Sequence, residues 1–177
     1  NKPIKQSQLY DVLMQIFANP VIFSIQIQVD TDRSQGKEVP LKILLAEDNI
    51  VNQKVALSML EKIGYSTDVV SNGVEALAVL EQVPYDLVLM DLQMPEMGGL
   101  EATKHICEKY GKQLDKKPII VAMTAGVMED DRDICLKTGM DDYISKPVRM
   151  ELLQRVLAYW GTKIWAKKNF GQRKIQD

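Results

Sequence analysis

Asp86-Leu87-Val88-Leu89-Met90 decides the fold. Four apolar residues follow one another without a polar break. A strand with one wet face alternates apolar and polar side chains, whereas a strand covered on both faces reads as a near-continuous apolar run. Such strands belong to parallel sheets sheathed by helices. Working outward, Leu41-Lys42-Ile43-Leu44-Leu45-Ala46 is a strand-like run upstream, and Thr67-Asp68-Val69-Val70 is a second. Downstream, Pro118-Ile119-Ile120-Val121-Ala122-Met123 is a fourth strand, and Met140 to Ile144 a short fifth. Helical patterns fill the gaps. From Ile50 to Ile63 the apolar positions Val51, Val55, Leu57, Met59, Leu60 and Ile63 suit a helix, which Gly64 ends as a left-handed cap. Asn72-Gly73 opens a helix carrying Val74, Leu77 and Leu80, closed by Pro84. Further helices run from Gly99 to about Tyr110 and from Val127 to Lys137, the latter stopped at Gly139. Pro147, at a first helical position, opens the last, to about Trp160. Strand and helix alternate five times. Parallel strands need long crossovers, and those are right-handed, so the pattern predicts an α/β, doubly wound five-stranded parallel sheet.

The rest of the 177-residue chain bounds the answer. At about 150 residues per domain, this is one domain with some length left over. With 46% hydrophobic and 26% charged residues and a net charge of −2, it is neither a globally basic nucleic-acid binder nor an acidic disordered chain. No apolar run reaches the ~20 residues that span a bilayer. Cys107 and Cys135 make no disulfide framework and read as reduced cytoplasmic thiols. The chain starts at Asn1 without an initiator Met or a charged-then-apolar leader, so a fragment of something longer, with no secretion signal, is expected.

The flanks depart from the rhythm. Lys2-Pro3-Ile4-Lys5 matches Lys146-Pro147-Val148-Arg149 at a constant offset, and Leu9, Val12 and Leu13 meet Leu153, Val156 and Leu157 at the same offset. Residues 1–17 therefore read as the terminal helix of a preceding, similar domain; the bland reading is chance likeness between two amphipathic helices. Residues 18–40 read as a linker, polar and Pro-terminated from Asp30 to Pro40, with an alternating, strand-like stretch at 21–29. Residues 161–177 carry Lys163, Lys167, Lys168, Arg173 and Lys174 against Asp177, and read as a mobile basic tail or, less simply, a contact patch.

In an open parallel sheet, ligands bind at the carboxyl ends of the strands. Strand one ends in Glu47-Asp48-Asn49 and strand three in Asp91. A strand order of 2-1-3-4-5 would set these two strands side by side, and the acids would then converge. Three carboxylates together repel, and a hard divalent cation removes the conflict; oxygen ligands with several waters suit Mg2+. Strand four ends in Thr124 and strand five leads to Lys146, adding a hydroxyl and an ammonium. Metal, carboxylate nucleophile, hydroxyl and cation suit phosphoryl transfer to Asp91. The bland alternative is that Glu47, Asp48 and Asn49 merely cap the next helix.

Residues 41–160 resemble the receiver domain of two-component response regulators, a flavodoxin-like fold. The resemblance rests on Ile43-Leu44-Leu45-Ala46-Glu47-Asp48-Asn49, on Asp86 through Gly99 with its Asp91-Leu92-Gln93-Met94-Pro95-Glu96-Met97-Gly98-Gly99, on Thr124-Ala125, and on Tyr143-Ile144-Ser145-Lys146-Pro147. It implies that Asp91 takes a phosphoryl group from a phosphohistidine. It implies Mg2+ held by Glu47, Asp48, Asp91 and the backbone carbonyl of Gln93, with Lys146 and Thr124 on the phosphate. Tyr143 falls at the switch-aromatic position, and Lys146–Pro147 at a cis peptide. The helix after Asn49, through Ile50, Val51, Gln53 and Lys54, is implied to dock on a histidine kinase phosphoacceptor domain or a histidine phosphotransfer domain. A homodimer through the fourth helix, fifth strand and fifth helix is implied as well. The spelling is most like a C-terminal receiver of a hybrid sensor histidine kinase, cytoplasmic, in a parent that other segments could anchor to a membrane.

This stretch of chain carries no Gly-rich ATP segment, and His105 reads as a plain helix residue, so kinase chemistry is expected outside it, leaving only self-phosphorylation and dephosphorylation here. Three rivals share the sheet. An aspartate-nucleophile phosphatase wants a second acid two positions after Asp91, where Gln93 stands. A flavin protein wants a phosphate-cradling loop where this chain is acidic. A non-phosphorylated interaction scaffold would use the fold for contacts alone. Trp160 and Trp165 lie far along the chain from the acids, which argues against tryptophan fluorescence as the test.

Overall fold

The computed structural model describes residues 40–111, 113, 116–126 and 129–170. The helix expected at 1–17, the strand at 21–29 and the linker up to residue 39 lie outside the described residues, as does the tail beyond Phe170. Five strands and five helices alternate: β1 (Ile43–Ala46), α1 (Ile50–Ile63), β2 (Thr67–Val70), α2 (Gly73–Gln82), β3 (Leu87–Asp91), α3 (Gly99–Tyr110), β4 (Ile119–Thr124), α4 (Glu129–Thr138), β5 (Asp142–Ser145) and α5 (Met150–Phe170). All pairings are parallel and the order is β2-β1-β3-β4-β5, the sheet expected from the sequence.

The apolar runs have the predicted cause. Every residue of β1 and of β3 is buried. Successive side chains point to opposite faces, so Ile43, Leu45, Leu87, Leu89, Val121 and Met123 feed one core. Leu44, Ala46, Val88, Met90, Ile120 and Ala122 feed the other. The first core is closed by α1 and α5 through Ala56, Leu60, Leu153, Val156 and Leu157. The second is closed by α2, α3 and α4 through Ala76, Leu80, Ala102, Ile106 and Cys135. Helices on both faces leave the carboxyl ends of the strands as an open rim.

Caps set where the helices begin around that rim. Asn49 lies in extended backbone, and its side-chain oxygen accepts from the amides of Val51 (2.9 Å) and Asn52 (3.3 Å). The capping reading of Asn49 is therefore correct for that residue. Gly64, at φ 104°, takes the left-handed cap that ends α1. At α3, Gly99 is buried under the end of β3; a Cβ there would run into the Asp91 carbonyl.

Three boundaries differ from the sequence reading. β5 starts at Asp142 rather than Met140, because Met140 is consumed in closing the preceding turn: its amide bonds to the Cys135 carbonyl. Pro147 does not open α5. Its peptide bond with Lys146 is cis, as the resemblance implies, and α5 starts three residues later, at Met150. The spacing ends the last helix near Trp160, but α5 runs on to Phe170. Ile164 packs against the first core one turn beyond Trp160, and the Lys168 ammonium meets Asp86 at 2.6 Å, so residues 161–170 are helix rather than tail.

Candidate functional site

The register places the rim residues. Ala46 lies opposite Met90, so Glu47 and Asp91 each stand one residue further along adjacent strands. Asp91 lies opposite Met123 and Thr124 opposite Ser145, which puts Thr124 and Lys146 on the same edge. One carboxylate oxygen each from Glu47, Asp48 and Asp91 falls within a 4.8 Å cluster. Glu47 and Asp91 are buried; Asp48 is exposed to solvent. The convergence expected from strand order is present.

Lys146 closes the group from the β5 side. Its ammonium donates to Glu47 Oε2 at 2.7 Å and to Asp91 Oδ2 at 2.6 Å. The backbone supports this: the Lys146 amide donates to the Thr124 carbonyl at 2.7 Å. The Gln93 amide donates to Asp91 Oδ1 at 3.2 Å, so the chain turns back over the acid immediately after β3. Burial pushes the Asp91 carboxyl above the ordinary carboxylate value, and the bonds from Lys146 and Gln93 only partly offset it. Burial alone would lower Lys146, but its contacts with Asp91 and Glu47 outweigh it and hold the ammonium above the usual lysine value.

Three carboxylates and one ammonium sum to −2, in a donor set made only of oxygens. That charge and that chemistry fit one hard divalent cation. Asp48, whose carboxylate is the most open to water, and Asp91 would hold it directly, with Glu47 alongside.

The remaining predicted residues occupy different positions. Thr124 is buried at the end of β4; its hydroxyl accepts from the Gly126 amide at 3.0 Å, so it faces the loop after β4. Tyr143 is half-buried on the face of the second core, with the Arg132 guanidinium 5.5 Å from its ring centre. Ile50 and Val51 are 65% and 64% exposed at the start of α1, beside Asp48, and Lys54 is exposed one turn on. His105 is exposed on α3, near Glu108.

Sequence reasoning missed two sets of contacts. Asn52 donates to Glu47 Oε1 at 2.9 Å, and Gln53 donates to the Glu47 carbonyl at 2.6 Å. Both follow the acids by one helical turn, the only signal that marks them. Trp160 is not remote from the β5 side of the site, as chain distance suggests: its indole N–H donates to Asp142 Oδ2 at 2.9 Å, beside Tyr143.

A five-stranded doubly wound sheet with acids at the ends of β1 and β3, Thr at the end of β4 and Lys-Pro after β5 defines a receiver module. Residues 43–158 match the response regulator receiver domain, and the chain belongs to that family, the receiver of two-component phosphorelays. It is similar to Histidine protein kinase 1 of Candida albicans, 36% identical over 170 residues, covering 92% of this chain and 7% of the kinase. It is also similar to the aerobic respiration control sensor protein ArcB of Escherichia coli, 40% identical over 144 residues, covering 79% of this chain and 18% of ArcB. The chain thus spans less than a fifth of either relative's length. Among solved structures, the receiver domain of the sensor histidine kinase PA1611 of Pseudomonas aeruginosa, with magnesium in its active-site cleft, is 38% identical. The match covers 69% of this chain and 98% of that one, with a TM-score of 0.62. A co-crystal of the Saccharomyces cerevisiae phosphotransfer protein Ypd1 with the Ssk1 receiver matches at 33% identity and a TM-score of 0.65. It covers 70% of this chain and 90% of that one.

Proposed function

We propose that Asp91 accepts a phosphoryl group from a phosphohistidine and that the added charge switches the domain between two conformations. The observation that carries this reading is the convergence of Glu47, Asp48 and Asp91, with Lys146 bridging two of them. An Asp91 oxygen attacks phosphorus, the P–N bond to the donor imidazole breaks, and the imidazole leaves with that electron pair. Asp48, Asp91, the Gln93 carbonyl and Glu47, the last through water, would hold Mg2+, which supplies charge neutralisation for the phosphoryl oxygens. Lys146 neutralises the same oxygens from the β5 side.

The PA1611 receiver with magnesium and the Ssk1 receiver with Ypd1 support the metal and the donor class. The donor docks on α1 through Asn49, Ile50, Val51 and Lys54, because that exposed apolar patch borders the acids. After transfer, the Thr124 hydroxyl leaves Gly126 for the phosphate, and Tyr143 turns inward away from Arg132. The changed α4–β5–α5 face, with Ile134, Leu136 and Tyr159 exposed, serves a homodimer or another partner. By the same reading, the domain is the C-terminal receiver of a cytoplasmic hybrid kinase region, and residues 1–17 are the last helix of a preceding receiver. Among the described residues, no helix is long and apolar enough to cross a membrane.

Acetyl phosphate with Mg2+ tests the site. Wild type acquires an acid-stable, hydroxylamine-labile acyl phosphate, and Asp91→Asn acquires none. Undiminished labelling of Asp91→Asn would refute the assignment.

A further inference from the structure

Glu47 is treated differently from the other two acids. Its carboxylate is buried, 2% exposed, and both its oxygens are engaged. Oε1 accepts from the Asn52 carboxamide at 2.9 Å and from the Asn49 amide at 3.3 Å; Oε2 accepts from Lys146 at 2.7 Å. Its backbone is held as well, by Gln53 on its carbonyl at 2.6 Å and by its own amide on the Val70 carbonyl at 3.1 Å. Among the described residues, Asn52 is the side-chain donor that fixes the rotation of the carboxylate about its last bond on the Oε1 side. A carboxylate free to turn there can bring either oxygen, or neither, towards the centre where Asp48 and Asp91 converge.

We propose that Asn52 is a positioning residue for the cation site: its carboxamide fixes the plane of the Glu47 carboxylate, so that Oε2 faces the centre shared with Lys146 and Asp91. This rests on the metal reading given above. A group that orients a ligand without touching the ion acts through the geometry of that ligand, and losing such partners costs about 10–100-fold in metal affinity. Asn52 reaches Glu47 from an exposed position on α1. Its replacement therefore leaves both cores intact. The same residue stands next to Val51 of the exposed α1 patch, so one turn of helix serves both the acids and the donor-facing surface.

The test is divalent-cation affinity of the full chain, read from Mn2+ by electron paramagnetic resonance and from Mg2+ by competition. Asn52→Leu keeps the branched shape and removes the donor. Ser58→Ala, an exposed change on the same helix, is the control, and Asn52→Gln restores a carboxamide. Wild type and Ser58→Ala bind equally; Asn52→Leu binds about tenfold more weakly. Asn52→Gln recovers part of the loss, and the metal-free melting temperature of Asn52→Leu falls only by the few degrees that one lost hydrogen bond to a buried carboxylate costs. A dissociation constant for Asn52→Leu within twofold of wild type overturns the role of Asn52 and leaves the metal reading standing. A weakening matched by an equal fall in metal-free melting temperature, with no recovery in Asn52→Gln, also overturns it, by making Asn52 merely structural. Wild type that takes up no Mn2+ overturns both readings.

Discussion

Replacing Lys146 with Met removes the ammonium that touches both Glu47 and Asp91 while keeping the length and apolar stem of the side chain. The carboxylates left behind are 2% and 7% exposed. Deleting one partner of a buried ion pair costs about 3–5 kcal/mol, because the survivor keeps its charge and loses its compensation. Two features reduce that here: the Lys146 side chain is 20% exposed, and Glu47 retains the Asn52 carboxamide. We expect a loss of about 2–3 kcal/mol in metal-free buffer at neutral pH, or roughly 6–12 °C in melting temperature for a domain of this size. Urea unfolding in EDTA measures it.

Two further readings separate electrostatics from packing. Saturating Mg2+ stabilises the variant more than wild type, since the metal then answers a cluster charge of −3 instead of −2. The gap between the two proteins also narrows as pH falls. Asp91 already has a raised folded value, so its share of stability is fully present on the acid side of the unfolded value and is lost as pH rises through the folded one. Without Lys146 that value rises further, and protonation relieves the variant sooner. A variant as stable as wild type in EDTA would refute the reasoning, and so would a deficit that Mg2+ and mild acid leave untouched.

The remaining predictions concern the rest of the fold. Burial first, then the hydrogen bond to Asp68, push the Tyr85 phenol up to about 12, so wild type loses stability as pH rises from 10 through that value. In Tyr85→Phe, alkaline urea titrations show this slope flattened; an unchanged slope would discount the Tyr85–Asp68 pair. Asp142→Ala strips the Trp160 indole of its partner at 2.9 Å and costs about 1–2 kcal/mol of stability. In wild type, beryllofluoride with Mg2+ shifts tryptophan emission through β5; in Asp142→Ala the shift shrinks. An identical shift in both would disconnect Trp160 from Tyr143.

Chain order carried the sheet because burial on both faces leaves no choice of residue: Leu87 through Met90 are all buried, and only an apolar run satisfies that. The acids were legible for a related reason. Strand ends are fixed by the runs before them, so Glu47 and Asp91 must share an edge once β1 and β3 are neighbours. Contacts that depend on rotation about a helix axis were not legible. Asn52 and Gln53 look like any polar pair on an exposed turn until the packing of Ala56 and Leu60 sets which way α1 faces. The length of α5 was concealed by Gly161 and three lysines, although Leu153, Leu157, Trp160 and Ile164 keep a helical spacing through it. Pro147 misled because a proline three residues ahead of a helix reads in sequence like one at its first turn.

The long α5 has a geometric consequence. Over 21 residues it rises about 30 Å, and it ties opposite poles of β3 together. Its approach begins at Lys146, against Asp91 at one pole, and its last turn reaches Asp86 at the other through Lys168. A fluorophore or fusion coupled at the Phe170 end therefore hangs on the side away from the acids and leaves them unobstructed. It reports on α5 while the acids stand at the far pole.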